Sequence, residues 1–318
     1  MSLLTLAALI AALPLLALIA NGRFYKAAVE RRWPAIGRRI DAGGARLHVI
    51  ERGEARAPTI LFLHGANSNA REFLFLAPEL ERTHRLLFVD RAGYGYSARP
   101  RGAERIDVQA ALYADLIERE QTGPAVVVAH SLGCAFALGL ARTRPDLVRG
   151  LVLIAPASHP YPGPNAWHAR LAAAPLIGPL FCATLVPLVA PSASRGAVRN
   201  IFAPARAPDD YFDRIGVPLA FRPAPFRASA RDVTASRREF ELHAPLYGEI
   251  DPPAIVISAD KDRVVSPRLH AQGLARDLQA VELVTLPGLG HAPHHLRPDI
   301  VLSAIARIET IGASRRAS

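Results

Sequence analysis

The stretch Val128-Ala129-His130-Ser131-Leu132-Gly133-Cys134 decides the fold. An apolar run, Ala125-Val126-Val127-Val128, leads into it, and an apolar helical pattern from Ala135 to Ala141 leads out. A serine flanked by small residues, between a buried strand and a helix, is the pattern of a nucleophile elbow. Such a turn is too tight for side chains on its flanks, and it pushes the serine hydroxyl out above the sheet. Only Ala or Gly fits two residues before and two after the serine, and those positions hold Ala129 and Gly133. An ordinary strand-to-helix turn with a serine cap is the competing reading of these seven residues.

Outward from this stretch the same alternation repeats. Upstream, Arg39 to Arg52 reads as a hairpin turning at Gly43-Gly44. Thr59-Ile60-Leu61-Phe62-Leu63 is a buried strand ending in His64-Gly65, and a helix follows around Arg71 to Leu80. Arg85 to Asp90 is the next strand, closed by Arg91-Ala92-Gly93-Tyr94-Gly95-Tyr96-Ser97, and a helix runs from about Asp107 to Glu120. Downstream comes the strand Gly150 to Ala155. Short apolar strands alternating with helices imply βαβ units, and so a doubly wound, mostly parallel α/β sheet. From Ser158 to about Ile250 no comparable strand appears and proline is frequent, with amphipathic pieces at Trp167–Ala173 and Asp232–His243. An insertion of that length carries structure of its own, here a helical cap over the carboxyl edge of the sheet. The alternation resumes at Ala254–Ser258 and ends with a helix from about Pro298 to Ile311. The expected organisation is an N-terminal segment over residues 1–21, core over 22–157, cap over 158–250 and core again over 251–318.

Ser2 to Ala20 is an uncharged run rich in Leu and Ala, just long enough to cross a bilayer. It lacks the positive start of a secretory signal, and Leu18-Ile19-Ala20 is a poor cleavage site. Arg23, Lys26, Arg31, Arg32, Arg38 and Arg39 follow it. The excess of positive charge on that flank predicts an uncleaved single-span transmembrane helix with the catalytic domain in the cytoplasm. A cleaved signal is the alternative.

The net charge is +10, almost all of it arginine, with Lys26 and Lys261 the only lysines. The arginines are scattered and form no basic block interleaved with aromatics, which argues against nucleic acid as a partner. They read mainly as solvated surface. The two cysteines, Cys134 and Cys182, lie in apolar surroundings and point to neither a disulfide framework nor a metal site.

A serine hydroxyl is a poor nucleophile until a base takes its proton, and the base needs a third group to fix its tautomer. Two loops at strand ends beyond the insertion offer partners. One is Ser258-Ala259-Asp260-Lys261-Asp262-Arg263-Val264-Val265, and the other is Leu286-Pro287-Gly288-Leu289-Gly290-His291. Both lie at carboxyl ends of parallel strands, where ligands bind in open α/β sheets. On these residues alone, Asp260 and Asp262 are both candidates for the acid.

Five pieces in register carry a resemblance. Leu63-His64-Gly65, Asp90 to Ser97, Ala129-His130-Ser131-Leu132-Gly133, Asp260 to Val265 and Gly288-Leu289-Gly290-His291 occur in the order and spacing of the α/β-hydrolase fold superfamily. The chain resembles that superfamily over nearly everything after the N-terminal run. It departs at Ala129, where many members have Gly, and at Ala92, where Pro is common. The resemblance implies Ser131 as nucleophile, His291 as general base and acid, and Asp262 as the orienting acid. The family's acid usually sits directly before the Arg-x-Val element, which favours Asp262 over Asp260. It also implies the backbone N–H groups of Leu132 and Ala66 as oxyanion donors, with no metal and no cofactor. The implied activity is a serine hydrolase cleaving a carboxylic ester, hydrophobic or lipid-like given the apolar cap, through an acyl-enzyme. Carbon–carbon bond hydrolases, acyltransferases and cofactor-free peroxidases keep the same triad and stay open, as does a non-catalytic binding protein on the same fold. Dehalogenases and epoxide hydrolases of this fold use an Asp nucleophile, and Ser131 argues against both.

Several other polar residues have plainer readings. His64 reads as a loop brace, and His130 as the variable residue of the elbow, pointing away from the chemistry. His294 and His295 read as surface residues at a helix entry. Asn67 and Asn69 either line the pocket floor or cap a helix. Trp167, Phe181, Phe202, Tyr211 and Phe221 either line an acyl pocket or form the core of the cap.

Overall fold

In the computed structural model the backbone of residues 3–317 and the side chains of residues 13–312 are described. The short apolar runs form the centre of an eight-stranded sheet. Its strands are β1 (Arg38–Ala42), β2 (Ala45–Arg52), β3 (Thr59–Leu63), β4 (Arg85–Val89), β5 (Ala125–His130), β6 (Val148–Ile154), β7 (Ala254–Ala259) and β8 (Val281–Leu286). Their order is β1-β2-β4-β3-β5-β6-β7-β8. The pairs β1/β2 and β2/β4 are antiparallel, and every pairing from β4 to β8 is parallel. The Gly43-Gly44 hairpin is present, with Ala42 opposite Ala45.

The helices are α1 (Leu3–Arg32), α2 (Ala77–Leu80), α3 (Ile106–Arg119), α4 (Gly133–Thr143), α5 (Trp167–Ala173), α6 (Gly178–Phe202), α7 (Tyr211–Ile215), α8 (Pro223–His243), α9 (Ala271–Asp277) and α10 (Pro298–Ala317). A 3₁₀ segment, Ala70–Leu76, precedes α2. The central strands are apolar throughout because both faces are covered. Alternate residues sort cleanly. Leu61, Leu63, Val127, Ala129 and Leu153 pack with α3, α4 and α9 on one face. Ile60, Phe62, Val126, Val128 and Ile154 pack with the 3₁₀ segment, α2 and α10 on the other.

Between β6 and β7 the described residues form helices and no strand. Helices α5 to α8 have a core of their own, in which Phe202, Tyr211, Ile215 and Phe221 meet Val186 and Ala190 of α6. The segment is tied to the sheet by buried charge. Asp232 of α8 accepts from Arg91 Nη1 at 3.1 Å and from Arg99 Nη2 at 2.7 Å. Arg91, Arg85 and Arg222 are all buried. These three are exceptions to the reading of the arginines as mainly solvated surface: each is paired with a carboxylate, since an unpaired buried guanidinium would be prohibitive.

Helix α1 does not stop with its apolar run. It continues to Arg32, and its last turns lie on α6 and on residues 217–221. Val29 and Trp33 pack on Leu219, Trp33 Nε1 donates to the Asp213 carbonyl at 2.8 Å, and Glu30 pairs with Arg222. Part of the expected transmembrane run, residues 2–12, has no described side chains. Among the described residues α6 alone is long and apolar enough to cross a membrane, and one side of it is packed into the helical segment.

Candidate active site

Ser131 occupies the turn between β5 and α4 with φ = +52°, a left-handed conformation that costs a non-glycine residue roughly 1–3 kcal/mol. Its neighbours hold it there. The Ser131 N–H donates to the Ile154 carbonyl at 2.9 Å, and its carbonyl accepts from Cys134 and Ala157. A Cβ at Gly133 would lie 2.4 Å from the Leu63 carbonyl oxygen, so the position two after the serine admits only glycine. Ala129, two before, is fully buried.

Beyond β8 the chain turns at Gly288 (φ = +73°) and passes under the helical segment at Gly290, where a Cβ would meet the Ala203 carbonyl oxygen at 2.4 Å. It then places His291 over the elbow. His291 Nε2 lies 2.9 Å from Ser131 Oγ, and Nδ1 lies 2.7 Å from Asp262 Oδ2. The other oxygen of Asp262 accepts the N–H groups of Val264 (2.8 Å) and Val265 (2.9 Å). Burial alone would raise the Asp262 pKa, but the bond to His291 and these two amides outweigh it and bring it below the ordinary carboxylate value. Burial lowers the His291 pKa, with Asp262 opposing. A carboxylate facing Nδ1 fixes the N–H there, which leaves Nε2 unprotonated toward the serine hydroxyl. Asp260 is elsewhere: it accepts from the Gly288 N–H at 2.6 Å and pairs with Lys261.

Gly65 packs against the elbow, where an added Cβ would come within 3.1 Å of Ser131 Cβ. The next residue, Ala66, and Ser131 line the same cavity. Among the described residues neither Ala66 nor Leu132 donates its N–H to another backbone group. His64 braces this loop. Its Nδ1–H donates to the Gly65 carbonyl at 2.8 Å, and its Nε2 accepts the Arg91 N–H at 3.0 Å. Burial drives its pKa down to about 4. Asn69 caps the 3₁₀ segment by accepting the Arg71 N–H, whereas Asn67 lines the cavity.

A cavity of about 760 Å³ opens over Ser131 and His291. Its floor is polar, with Glu72 and His130 beside the serine, and its walls come from the helical segment, including Phe181, Val186, Val198, Ile201 and Phe226. Trp167, Tyr211 and Phe221 line it too, while Phe202 is packed into the core of the helices.

Two readings from sequence need correction. His294 and His295 are buried, not at the surface, because the 3₁₀ turn after His291 tucks them under Phe75 and Tyr211. His130, read as pointing away from the chemistry, lines the cavity floor and is no bystander: its Nε2 meets the His291 carbonyl oxygen at 2.9 Å, and its Nδ1 contacts the Glu72 carboxylate. Glu72 itself was not singled out by sequence. Its only signal is a charged residue at a position of the 3₁₀ segment whose neighbours, Ala70, Phe73 and Leu76, all face the core.

Residues 60–304 match the family model described as the alpha/beta hydrolase family. A hydrolase of 2-(acetamidomethylene)succinate from Mesorhizobium japonicum is 30% identical over 277 residues, 85% of this chain and 94% of that protein. A pimeloyl-[acyl-carrier protein] methyl ester esterase from Neisseria meningitidis is 29% identical over 252 residues, 74% of this chain and 86% of the esterase. Among solved structures, a membrane phospholipase A described as a bacterial virulence factor superposes with a TM-score of 0.69 at 19% identity, covering 98% of this chain and 96% of its own. At that identity the likeness is one of fold.

Proposed function

The chain belongs to the alpha/beta hydrolase family and is an enzyme of the hydrolase class, and from that premise we propose that it cleaves carboxylic esters of long apolar acyl groups through an acyl-enzyme on Ser131. The observation that carries this reading is the linear arrangement of Ser131 Oγ, His291 and Asp262, at 2.9 and 2.7 Å, at the foot of an apolar cavity.

In the proposed reaction His291 Nε2 takes the Ser131 proton as Oγ attacks the ester carbonyl carbon. The oxyanion that forms faces the N–H groups of Leu132 and Ala66, each such donor being worth roughly a hundred- to thousandfold in rate. His291 then gives the proton to the leaving alcohol, and the C–O bond breaks. Water repeats the sequence on the acyl-enzyme. Asp262 stabilises the imidazolium that appears twice in the cycle.

The cavity lining supports an uncharged acyl group. Among the described residues lining it there is no arginine or lysine. A small dicarboxylate, such as the one named for the Mesorhizobium relative, would find no arginine or lysine to pair with there, and His130 is already taken by Glu72. The outer surface adds to the argument. Leu176, Ile177, Leu180, Leu185, Leu188 and Val189 are all exposed on or beside α6, and Leu185 and Val189 also reach the cavity. Exposed apolar patches of this kind meet lipid or protein. We place this face on a membrane surface, with the apolar start of α1 as its anchor, so that lipid-like esters enter the cavity directly.

A fluorophosphonate probe together with p-nitrophenyl esters from acetate to palmitate tests the reading. Labelling at Ser131 and turnover that favours longer chains are expected. No labelling at Ser131 contradicts a serine hydrolase. Labelling without turnover of any ester moves the assignment to an acyltransferase or a carbon–carbon bond hydrolase.

A further inference from the structure

Three segments of the proposed site meet at one buried carboxylate that the reaction above does not use. Glu72 lies in the 3₁₀ segment, 2% exposed. Its Oε2 accepts the Gly65 N–H at 3.2 Å. Its Oε1 contacts His130 Nδ1 and stands 3.3 Å from His294 Nε2. His130 in turn reaches the segment that carries the base, because its Nε2–H donates to the His291 carbonyl at 2.9 Å.

The tautomers follow from these contacts. With Nε2–H given to a carbonyl, a neutral His130 would turn a bare Nδ1 lone pair toward a carboxylate. A proton between the two makes that contact attractive, and we assign it to Nδ1, with His130 as an imidazolium against an ionised Glu72. The environment agrees in direction. Burial would raise the Glu72 pKa, but the charge and hydrogen bond of His130 bring it well below the ordinary value. Burial would lower that of His130, and Glu72 raises it instead.

Resting on the assignment of Ser131, His291 and the Ala66 amide above, we propose that Glu72 is a positioning residue for this reaction: through Gly65 and His130 a single carboxylate holds the oxyanion loop, the elbow and the histidine segment in one frame. Glu72 reaches Ala66 through its neighbour Gly65, Ser131 through its neighbour His130, and His291 through the His130 bond to its carbonyl. It touches no reacting atom, and its effect is on distance. A misplacement of about 1 Å in such a site lowers the rate by roughly a hundredfold. The charged and titratable groups around the cluster are His130, His294, His295 and Tyr211 around Glu72, and Asp262 and His130 around His291. The alternative occupant is a divalent cation, since Glu72, His294 and His295 offer donor atoms within 4.8 Å of one another. Against it, both Glu72 oxygens are already engaged, one by an amide and one by an imidazolium.

The test is a kinetic comparison of full-length proteins, with active sites counted by fluorophosphonate titration so that misfolded molecules drop out. Glu72→Gln keeps an acceptor for the Gly65 N–H and removes the charge that faces His130. Its kcat for p-nitrophenyl butyrate is expected to fall at least about tenfold, with KM within about threefold of the wild type. His130→Gln is expected to fall similarly, and the double variant no further than the worse single one, because the two act as a unit. If Glu72→Gln does not fold, His130→Gln leaves the carboxylate in place and carries the kcat test alone. A wild-type kcat in the variants, a change confined to KM, or losses that multiply in the double variant would overturn the proposal. So would a stoichiometric metal ion in the purified wild type that Glu72→Gln removes. An active wild type labelled at Ser131 beside an unimpaired Glu72→Gln sinks the positioning role alone, whereas an unlabelled wild type sinks the site assignment and this inference with it.

Discussion

Asp262 faces His291 with one carboxylate oxygen, 2.7 Å from Nδ1, while its other oxygen is held by two backbone amides of its own loop. The loop fixes the carboxylate and the carboxylate fixes the imidazole, so the orientation of His291 does not depend on a bound substrate.

Replacing Asp262 by Asn puts an amide opposite Nδ1 and favours the wrong tautomer of His291. We expect kcat to fall by about 10⁴, the size typical of that substitution in a Ser-His-Asp site. Asp260→Asn should stay within about threefold of the wild type, because Asp260 serves the Gly288 turn and does not reach His291. Parallel kinetics with one ester check both. Loss in Asp260→Asn with retention in Asp262→Asn would reverse the assignment.

In the proposed reaction His291 must be neutral to accept the serine proton, and burial places its pKa below the ordinary histidine value of 6.5. Protonation inactivates the base, so kcat/KM should be flat through neutral pH and fall on the acid side with a midpoint below 6.5. Asp262 stays ionised over that range because its own pKa is also lowered. A pH–rate profile with its acid midpoint at or above 6.5 would contradict the assigned environment.

The elbow predicts a steric lesion. Gly133→Ala drives a methyl to within 2.4 Å of the Leu63 carbonyl oxygen, which is backbone and cannot rotate away. Overpacking of this kind costs about 1–3 kcal/mol. Calorimetry should show a lowered Tm, and activity should be lost through displacement of Ser131. An unchanged Tm would mean that the turn is looser than the structure has it.

How far the sequence reached follows from the range of each constraint. Ser131, Ala129 and Gly133 were legible because the elbow is set by five adjacent residues, 129–133, whose size limits are local. Asp262 and His291 were proposed from their places at strand ends, with the family pattern choosing between Asp262 and Asp260, and the fold brings both to Ser131. Glu72 was not found because nothing near it in sequence explains it: its partners His130 and His294 lie far along the chain and meet it only when the sheet has formed. His294 and His295 were misread for the same reason, since the residues that bury them, Phe75 and Tyr211, come from the 3₁₀ segment and α7. The continuation of α1 to Arg32 was hidden by its charges, which a helix lying on α6 can turn to solvent or, at Glu30, pair with Arg222.

The cavity walls predict selectivity. Val198 lines the cavity from α6, so Val198→Trp should shorten the space for the acyl chain. We expect kcat/KM for palmitate esters to fall at least about tenfold more than for acetate, within the 1–3 kcal/mol that one apolar pocket contact supplies. Equal losses on both esters would place the acyl chain elsewhere.

The exposed apolar face makes a separate prediction. Leu176, Ile177 and Leu188 are exposed and do not line the cavity. Changing all three to Asp should lower the rate on a long-chain ester held in lipid vesicles at least about fivefold, through loss of apolar area buried in the lipid. Turnover of soluble p-nitrophenyl acetate should be unchanged. Equal rates on the vesicle substrate would remove this face from the account.

The central claim is that Ser131 forms the acyl-enzyme. The direct measurement is mass spectrometry of the protein quenched during turnover of a slow p-nitrophenyl ester, with peptide mapping. The account predicts one acyl group, on Ser131, that forms with a burst of p-nitrophenol and is absent in Ser131→Ala. Steady ester turnover by Ser131→Ala at the wild-type rate, or an acyl group mapped to another residue, would contradict it.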